Sequence, residues 1–295
     1  ILKIMKDRKG ILLAGGSGTR LMPLTSSVNK HLLPIYDKPM IFYSLSILML
    51  AGINEILIIT RKEDLSLFND LLGDGSRFGI NLSYEVQDNP NGIAEAFLIG
   101  EKFIGKSDVC LMLGDNIFYG GQLSEKLHSA MLRKKGASIF AYEVMDPSRF
   151  GVVSFDKNNK IDSIEEKPSQ PKSNYAITGL YFYDNNVIDY AKEIRPSKRG
   201  ELEITSINEI YLSEESLFVE IMGRGFTWLD TGTFDSLVEA SNFISIMQRQ
   251  QGFNIACLEE ISFNNGWISK DNLIELVSNK DSSYHNYIRN IILKK

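Results

Sequence analysis

The chain has 295 residues, enough for one large or two smaller domains, and its 43% hydrophobic and 23% charged residues are usual for a globular protein. A formal net charge of −5 argues against a nucleic acid partner. No apolar run approaches the roughly 18 residues of a membrane-spanning helix, so we expect no membrane partner.

Cysteine use and the start of the chain indicate a cellular compartment. Cys110 and Cys257 are the only cysteines, and both lie in apolar contexts, which predicts buried free thiols under reducing conditions. No signal-peptide pattern is visible, and Met5 is a candidate initiator. We therefore expect a cytoplasmic protein.

The first half of the chain alternates apolar strands with helices. Strands are predicted over 10–14, 55–60, 82–86, 109–113 and 137–144. Helices are predicted between them, over 40–51, 62–72, 92–104 and 122–135. Prolines over 21–39 predict an ordered loop there. This alternation is typical of an α/β fold with a doubly wound, mostly parallel sheet.

The second half is predicted to be a smaller insertion that contains β-strands, followed by helices. Its strands are predicted over 150–155, 161–165, 176–183, 217–221 and 226–229. Its helices are predicted over 184–194, 203–214 and 233–250. The tail from 252 predicts a strand or loop, a helix after Ser269 and a final helix near 284–293.

A glycine-rich loop, Gly15-Gly16-Ser17-Gly18-Thr19-Arg20, directly follows the first predicted strand. Its glycines let the backbone approach a ligand closely and aim N–H groups at phosphate oxygens. Arg20 and Lys30 add two cations that suit a triphosphate. The loop lacks both the Gly-Lys-Ser/Thr of a P-loop and the third glycine of the dinucleotide fingerprint. A plain turn between strand and helix is the alternative.

Three segments follow predicted strands and are expected at one edge of the sheet, where doubly wound folds bind ligands. They are the glycine loop, the segment from Gln87 to Gly92, and Gly114-Asp115-Asn116. Asp115 and Asp230 both stand at strand ends. Each is as consistent with a turn or a helix cap as with a ligand of Mg²⁺, and the presence of two favours the metal.

Charged residues continue around a second candidate binding region. Glu165-Glu166-Lys167-Pro168 closes an apolar strand, where Lys167 could meet a phosphate and Glu166 a sugar hydroxyl. The alternative is a solvated charged surface. The segment 195–203 is a candidate lid or a surface loop. The histidines are scattered and no nucleophile pattern is visible, which leaves phosphoryl-type transfer by positioned cations and a metal.

Taken together, these motifs resemble the glucose-1-phosphate thymidylyltransferases from about residue 9 to 290. The likeness is carried by the following segments: Gly15 to Leu21 with Lys30, Tyr36 to Ile41, Leu71 to Ser76, Leu113 to Asn116, Glu165 to Pro168, Lys172 to Ala176, Arg199 to Thr205 and Trp228 to Thr233. The resemblance implies a Rossmann-like nucleotide-diphospho-sugar transferase fold. It implies a catalytic domain over 5–252, with a nucleotide half of about 9–145 and a sugar-phosphate half of about 146–252. The helical tail over 253–295 would serve subunit contacts or regulation.

The resemblance also implies a reaction and a site. In the family, dTTP and α-D-glucose 1-phosphate give dTDP-glucose and pyrophosphate with Mg²⁺ assistance, in the first step of dTDP-rhamnose synthesis. The triphosphate would contact Gly15, Gly16, Ser17, Gly18, Thr19, Arg20 and Lys30, the base Gln87 and Gly92, and the metal Asp115 and Asp230. The sugar phosphate would contact Gly151, Glu166, Lys167, Tyr181, Arg199 and Trp228. The catalytic residues would be Arg20, Lys30, Asp115 and Lys167.

The family is typically an allosteric homotetramer, and this chain departs from its pattern at several places. Asn29-Lys30-His31 stands for the usual Ser-Lys-Gln, and Asn91 for aspartate. Ser262-Phe263-Asn264-Asn265 lacks the expected basic residue, which argues against feedback by dTDP-rhamnose more than against catalysis. The alternatives are the same chemistry with UTP, CTP or another sugar 1-phosphate, a catalytically silent sugar-nucleotide-binding regulator, or a glycosyltransferase.

Overall fold

The computed structural model describes residues 8–294, and the candidate initiator Met5 lies outside them. Its strands are β1 (Arg8–Ala14), β2 (Pro34–Ile35), β3 (Lys38–Pro39), β4 (Glu55–Thr60), β5 (Asn81–Val86), β6 (Asp108–Leu113), β7 (Asn116–Gly120), β8 (Ala137–Glu143), β9 (Gly151–Phe155), β10 (Ile161–Glu166), β11 (Tyr175–Tyr183), β12 (Leu217–Met222) and β13 (Phe226–Asp230). Its helices are α1 (Met40–Leu50), α2 (Leu65–Leu72), α3 (Glu95–Ile99), α4 (Glu101–Ile104), α5 (Leu123–Leu132), α6 (Val187–Glu193), α7 (Ile204–Ser213), α8 (Phe234–Gln251), α9 (Leu258–Asn264), α10 (Lys270–Val277) and α11 (Ser283–Lys294). None of these helices combines the length and apolar character needed to cross a membrane.

A nine-stranded sheet forms the centre of the molecule. Four parallel neighbours lie in the order β6-β1-β4-β5, as the apolar strands of the first half predict. Strand β11 extends the sheet antiparallel to β6, followed by β9 and β10 on one branch and by β8 and β12 on the other. The predicted α/β fold class is confirmed, and each antiparallel pair in this sheet includes β10 or β11, which come from the second half of the chain.

Hydrophobic cores cover both faces of this sheet, since alternate side chains of a strand point to opposite faces. On β1, Leu12 and Ala14 pack in one core with α1, whereas Ile11 packs in the other with Phe97 of α3 and Tyr211 of α7. The sheet is therefore buried on both sides, which explains the almost continuous apolar runs of β4 and β6.

Some elements differ from the sequence prediction. Strand β7 was not predicted, and it pairs with β13 in a separate two-stranded ribbon. The predicted helix over 92–104 breaks at Gly100, where a Cβ atom would lie 3.0 Å from Ile11 Cδ1. Helix α9 was also not predicted, and tertiary contacts hold it in place: Asn265 Nδ2, just after the helix, donates to the Met49 carbonyl over 2.9 Å.

The parallel strands place the functional loops. In register, Leu13 lies beside Leu113, Ala14 beside Thr60, and Thr60 beside Val86. The segments that follow these strands therefore leave the sheet at the same edge. This confirms the expected meeting of the glycine loop, Gln87 and Asp115.

Candidate active site

A polar pocket of about 530 Å³ opens at this edge, between the glycine loop and the antiparallel strands. It is lined by many residues that the sequence singled out: Thr19, Arg20, Asp115, Gly151, Glu166, Lys167, Tyr181, Arg199, Trp228 and Asp230. The other predicted residues are not part of its lining: Gly15, Gly16, Ser17, Gly18, Lys30, Gln87 and Gly92. One end of the pocket is built from Arg20, Asp115 and Asp230, and the other from residues of β9, β10 and β11.

The glycine loop presents Arg20 to the pocket. Gly18 adopts a φ of +63°, and a Cβ atom there would lie 2.9 Å from Thr25 Cγ2. The turn that follows carries Arg20. If Gly232 had a Cβ atom, that atom would lie 3.1 Å from Arg20 Nη2 and 3.3 Å from Asp230 Oδ2. Arg20 and Asp230 therefore both lie close to Gly232.

Gln87 ties the glycine loop to the segment after β5. Its Nε2 atom donates to Glu95 Oε2 over 2.7 Å and to the Gly92 carbonyl over 3.3 Å. A Cβ atom at Gly15 would lie 2.8 Å from Gln87 Oε1, so only glycine fits this contact without movement. The amide nitrogen is thus occupied, and the amide oxygen faces the glycine loop.

A buried polar network holds Lys30. Asn29 Oδ1 accepts a hydrogen bond from the His31 backbone N–H over 2.9 Å, and Asn29 Nδ2 donates to Asp64 Oδ2 over 2.7 Å. Burial and the Lys30 charge lower the pKa of His31 to about 3, so its ring is neutral. Lys30 is itself buried and forms an ion pair with Asp115 Oδ2. The departure from Ser-Lys-Gln therefore supplies a local support for Lys30.

The ribbon of β7 and β13 brings the two aspartates together. Asp230 stands opposite Asn116 in register, and the Thr231 backbone N–H and hydroxyl both donate to the Asp115 carbonyl, over 3.1 and 2.8 Å. Burial alone would raise the pKa of Asp115, but the charge of Lys30 outweighs it and holds that pKa well below its usual range. Burial and the Asp115 charge raise the pKa of Asp230 to about 6.

This pair fits the needs of Mg²⁺. The part of the chain that the structure describes contains no cluster of three or more His, Cys, Asp or Glu residues suited to a metal. Magnesium does not require one, because it binds through one or two carboxylates together with substrate phosphates and water. Two ionised carboxylates that are buried side by side repel each other, and a cation bound by both would offset this repulsion.

The other end of the pocket is organised around Glu166. Its Oε2 accepts from the Thr205 hydroxyl over 2.5 Å, and its Oε1 lies 3.4 Å from both Arg199 Nη1 and Lys167 Nζ. Lys167 has a φ of +43°, an uncommon conformation for a residue with a side chain, and such strain is concentrated at functional sites. Tyr181 is buried beside this group, and burial raises the pKa of its hydroxyl.

Sequence reasoning missed several residues at the site. Arg149 Nη2 lies 3.6 Å from Asp230 Oδ2, and no motif marks this arginine. Thr205 contacts Glu166 although they are far apart in the chain. Asn116 stands next to Asp115 in the motif but had no role assigned, and Trp228 Nε1 donates to its Oδ1 over 2.6 Å. Asn116 and Thr205 carried a usable signal, because both lie in segments that carry the family resemblance, whereas Arg149 lies in none of them.

A glycine loop at parallel strand ends, two carboxylates and several cations around one pocket define a nucleotidyltransferase. A family model described as nucleotidyl transferase matches residues 9–246. The chain is 56% identical to the glucose-1-phosphate thymidylyltransferase of Neisseria meningitidis, over 97% of this chain and 100% of that protein. It is 54% identical to that of Xanthomonas campestris, over 93% of both.

Solved structures agree with this assignment. A Bacillus anthracis protein described as a glucose-1-phosphate thymidylyltransferase, in complex with sucrose, superposes with a TM-score of 0.75 at 44% identity, over 80% of this chain and 94% of that one. A UDP-glucose pyrophosphorylase complexed with UDP-glucose gives 0.71 at 25% identity, over 82% and 99%. The chain belongs to the glucose-1-phosphate thymidylyltransferase family.

Proposed function

We propose that this enzyme joins dTTP and α-D-glucose 1-phosphate to form dTDP-glucose and pyrophosphate. The proposal rests on the observation that one pocket contains both sets of groups. Arg20, Asp115 and Asp230 lie at one end, and Glu166 lies at the other with Lys167 and Arg199. A nucleoside triphosphate and a sugar phosphate can meet there. The names of the relatives supply the particular nucleotide and sugar.

Direct transfer accounts for the charges in the pocket. An oxygen of the sugar phosphate forms a bond to the α-phosphorus of the nucleotide. The bond from that phosphorus to the oxygen that bridges it to the β-phosphorus breaks, and pyrophosphate leaves with the electron pair. Arg20 and Lys30 hold the triphosphate and stabilise charge as it moves onto the leaving group. Lys167 neutralises the sugar phosphate, which would otherwise repel the triphosphate. No covalent enzyme intermediate is needed.

Asp115 and Asp230 are the residues that would hold Mg²⁺. When bound, the ion would offset negative charge on the triphosphate. Lys30 forms an ion pair with Asp115. A triphosphate offers Lys30 a second anionic partner, so we expect Lys30 to shift toward the phosphates on binding.

Gln87 supports recognition of thymine. Because its Nε2 is engaged by Glu95, its Oε1 remains as an acceptor beside the glycine loop. Thymine and uracil both carry a ring N3–H donor, whereas cytosine has an acceptor there. This favours dTTP and UTP over CTP. The likeness to a UDP-glucose pyrophosphorylase makes UTP the second candidate nucleotide.

The proposal also includes a homotetramer with subunit contacts near residues 253–295, as the resemblance to the family implies. A second cavity of about 370 Å³ lies between α1, β7 and residues 251–264. None of its lining residues, all in the described part of the chain, is Lys, Arg or His. A nucleoside diphosphate in this cavity would find no cation among these lining residues. In the family, the reaction is the first step of dTDP-rhamnose synthesis, and dTDP-rhamnose would be the feedback inhibitor. We expect this inhibitor to bind weakly to the present protein.

The test is pyrophosphate release with Mg²⁺, crossing dTTP, UTP, CTP, ATP and GTP with glucose 1-phosphate and other sugar 1-phosphates. The proposal predicts the highest kcat/KM for dTTP with glucose 1-phosphate. A different preferred pair would retain the chemistry and replace the substrates. Folded protein that releases no pyrophosphate with any pair would refute the enzyme activity and favour a silent regulator. Light scattering of the purified protein tests the tetramer.

A further inference from the structure

We propose that Glu95 is a positioning residue that sets the nucleobase preference of the enzyme by fixing the orientation of the Gln87 amide. Glu95 is partly buried at the start of α3, and it is not part of the lining of the large pocket. The inference rests on the proposed function, because it concerns how thymine is chosen over cytosine. The segments that carry the family resemblance do not include Glu95, and the proposed reaction assigns no step to it.

The two ends of the Gln87 amide differ in what they offer a nucleobase. Nε2 donates to Glu95 Oε2 over 2.7 Å and to the Gly92 carbonyl over 3.3 Å. Both partners accept, so the atom that faces them is the amide nitrogen. In the part of the chain that the structure describes, no donor reaches the amide oxygen, which faces the glycine loop at Gly15. Gln87 therefore offers the base an acceptor.

Glu95 makes the stronger of the two contacts with the Gln87 amide nitrogen. Its bond is the shorter one and involves a carboxylate, and hydrogen bonds to a charged group are about twice as strong as neutral ones. A carboxylate has no proton to donate, so a flipped Gln87 amide would bring two acceptor oxygens together. Glu95 therefore disfavours the orientation in which the amide nitrogen faces the base.

Asn91 holds the other oxygen of the Glu95 carboxylate. Asn91 Nδ2 donates to Glu95 Oε1 over 2.8 Å, so each carboxylate oxygen accepts from one side-chain amide. Aspartate, which is usual at position 91 in the family, would place a second carboxylate there and has no amide to donate. The backbone of this segment is fixed as well, because the Leu202 N–H donates to the Asn91 carbonyl over 2.6 Å and the Ala94 N–H to the Leu202 carbonyl over 3.2 Å. The departure at Asn91 is thus matched to the carboxylate of Glu95.

An acceptor at Gln87 Oε1 distinguishes pyrimidines by their N3 atoms. Thymine and uracil carry an N3–H that can donate to it, whereas the N3 of cytosine is an acceptor and would face a second acceptor. dTTP and dUTP share this edge and differ only in the methyl group of thymine. A change at Glu95 should therefore alter the preference for dTTP over dCTP and leave the preference for dTTP over dUTP as it is.

The experiment compares Glu95→Gln with wild type by calorimetric titration of dTTP, dUTP and dCTP with Mg²⁺ and no sugar phosphate. Weak dCTP binding is measured by its competition with dTTP. Glutamine has nearly the shape of glutamate, but its amide can either donate or accept, so the Gln87 amide can flip at lower cost. We expect the ratio of the dCTP Kd to the dTTP Kd to fall about fivefold, because a charged acceptor is replaced by a neutral one. The ratio of the dUTP Kd to the dTTP Kd should stay within about twofold of wild type.

Glu85→Gln is the matched control for the charge that is removed. Glu85 is exposed on β5, two residues before Gln87, so both ratios should stay at their wild-type values. A fall of less than about threefold in the dCTP:dTTP ratio of folded Glu95→Gln would overturn the inference, as would an equal fall in Glu85→Gln. Glu95→Ala, which removes the acceptor altogether, replaces the glutamine variant if that variant does not fold.

The wild-type titrations separate this inference from the proposed function. If wild type binds dCTP as tightly as dTTP, the contact of Gln87 with the base and the role of Glu95 both fail. Pyrophosphate release from dTTP and glucose 1-phosphate by that wild-type protein would still uphold the proposed reaction.

Discussion

Replacing Asp230 with asparagine removes a charge that the folded protein holds beside a second buried carboxylate. The pKa of Asp230 is raised to about 6 by burial and by Asp115, against about 4 for a solvated aspartate. Because the pKa of Asp230 is higher in the folded state than in the unfolded state, ionisation of Asp230 lowers the free energy of unfolding. This loss is absent below about pH 4 and complete above about pH 6. Each pKa unit corresponds to about 1.4 kcal/mol.

At pH 8 without metal, ionised Asp230 therefore lowers the free energy of unfolding by about 1–3 kcal/mol. The asparagine side chain has nearly the same shape as the aspartate side chain and no charge. We expect Asp230→Asn to be more stable than wild type by that amount in EDTA, since the raised pKa of Asp230 already includes its attraction to Arg149. Urea unfolding at pH 8 measures the difference.

The kcat of Asp230→Asn should fall, although its free energy of unfolding should rise. With one carboxylate lost from the proposed metal site, we expect kcat to fall by about 10²–10³, the size of effect seen when one group that stabilises transition-state charge is removed. Mg²⁺ with dTTP should also stabilise the variant less than wild type. Asp235→Asn, an exposed substitution in the first turn of α8, is the control and should change neither quantity.

Two results would refute this reasoning. Near-normal kcat in Asp230→Asn would remove Asp230 from the metal site. A variant that is much less stable than wild type in EDTA would show that the Asp230 charge contributes to folding, contrary to its burial beside Asp115.

Three further predictions concern the two ends of the pocket. Arg20→Ala should raise the KM of dTTP and lower kcat by about 10²-fold or more, because its cation acts on the triphosphate; an unaffected enzyme would reduce the glycine loop to a plain turn. Gly15→Ala should displace the Gln87 amide and raise the KM of dTTP with little change for glucose 1-phosphate, and equal changes in both would contradict a base-side role. Thr205→Val should release one oxygen of Glu166 and raise the KM of glucose 1-phosphate several-fold, since that hydrogen bond orients the carboxylate, whereas an altered KM for dTTP alone would argue against this placement.

Some properties of this protein follow from the sequence by itself. The nearly continuous apolar run of Glu55–Thr60 predicts a strand buried on both faces, and the alternation of such strands with helices predicts an α/β sheet. The glycine loop and the motif around Asp115 are contiguous segments whose local chemistry can be interpreted directly. Parallel strands then require that these segments meet at one edge, so the nucleotide end of the pocket could be predicted without coordinates.

Other properties depend on contacts between distant segments. The pairing of β7 with β13 sets Asp230 beside Asn116, and strand pairing between segments so far apart in the chain leaves no local periodicity to detect. The bonds from Thr205 to Glu166 and from Gly179 to Asn116 have the same origin. Sequence determined which groups are available for the chemistry, because side-chain identity is local. Tertiary structure alone decided which of them touch, because burial and strand register set the distances, the hydrogen-bond partners and the opposite pKa shifts of Asp115 and Asp230.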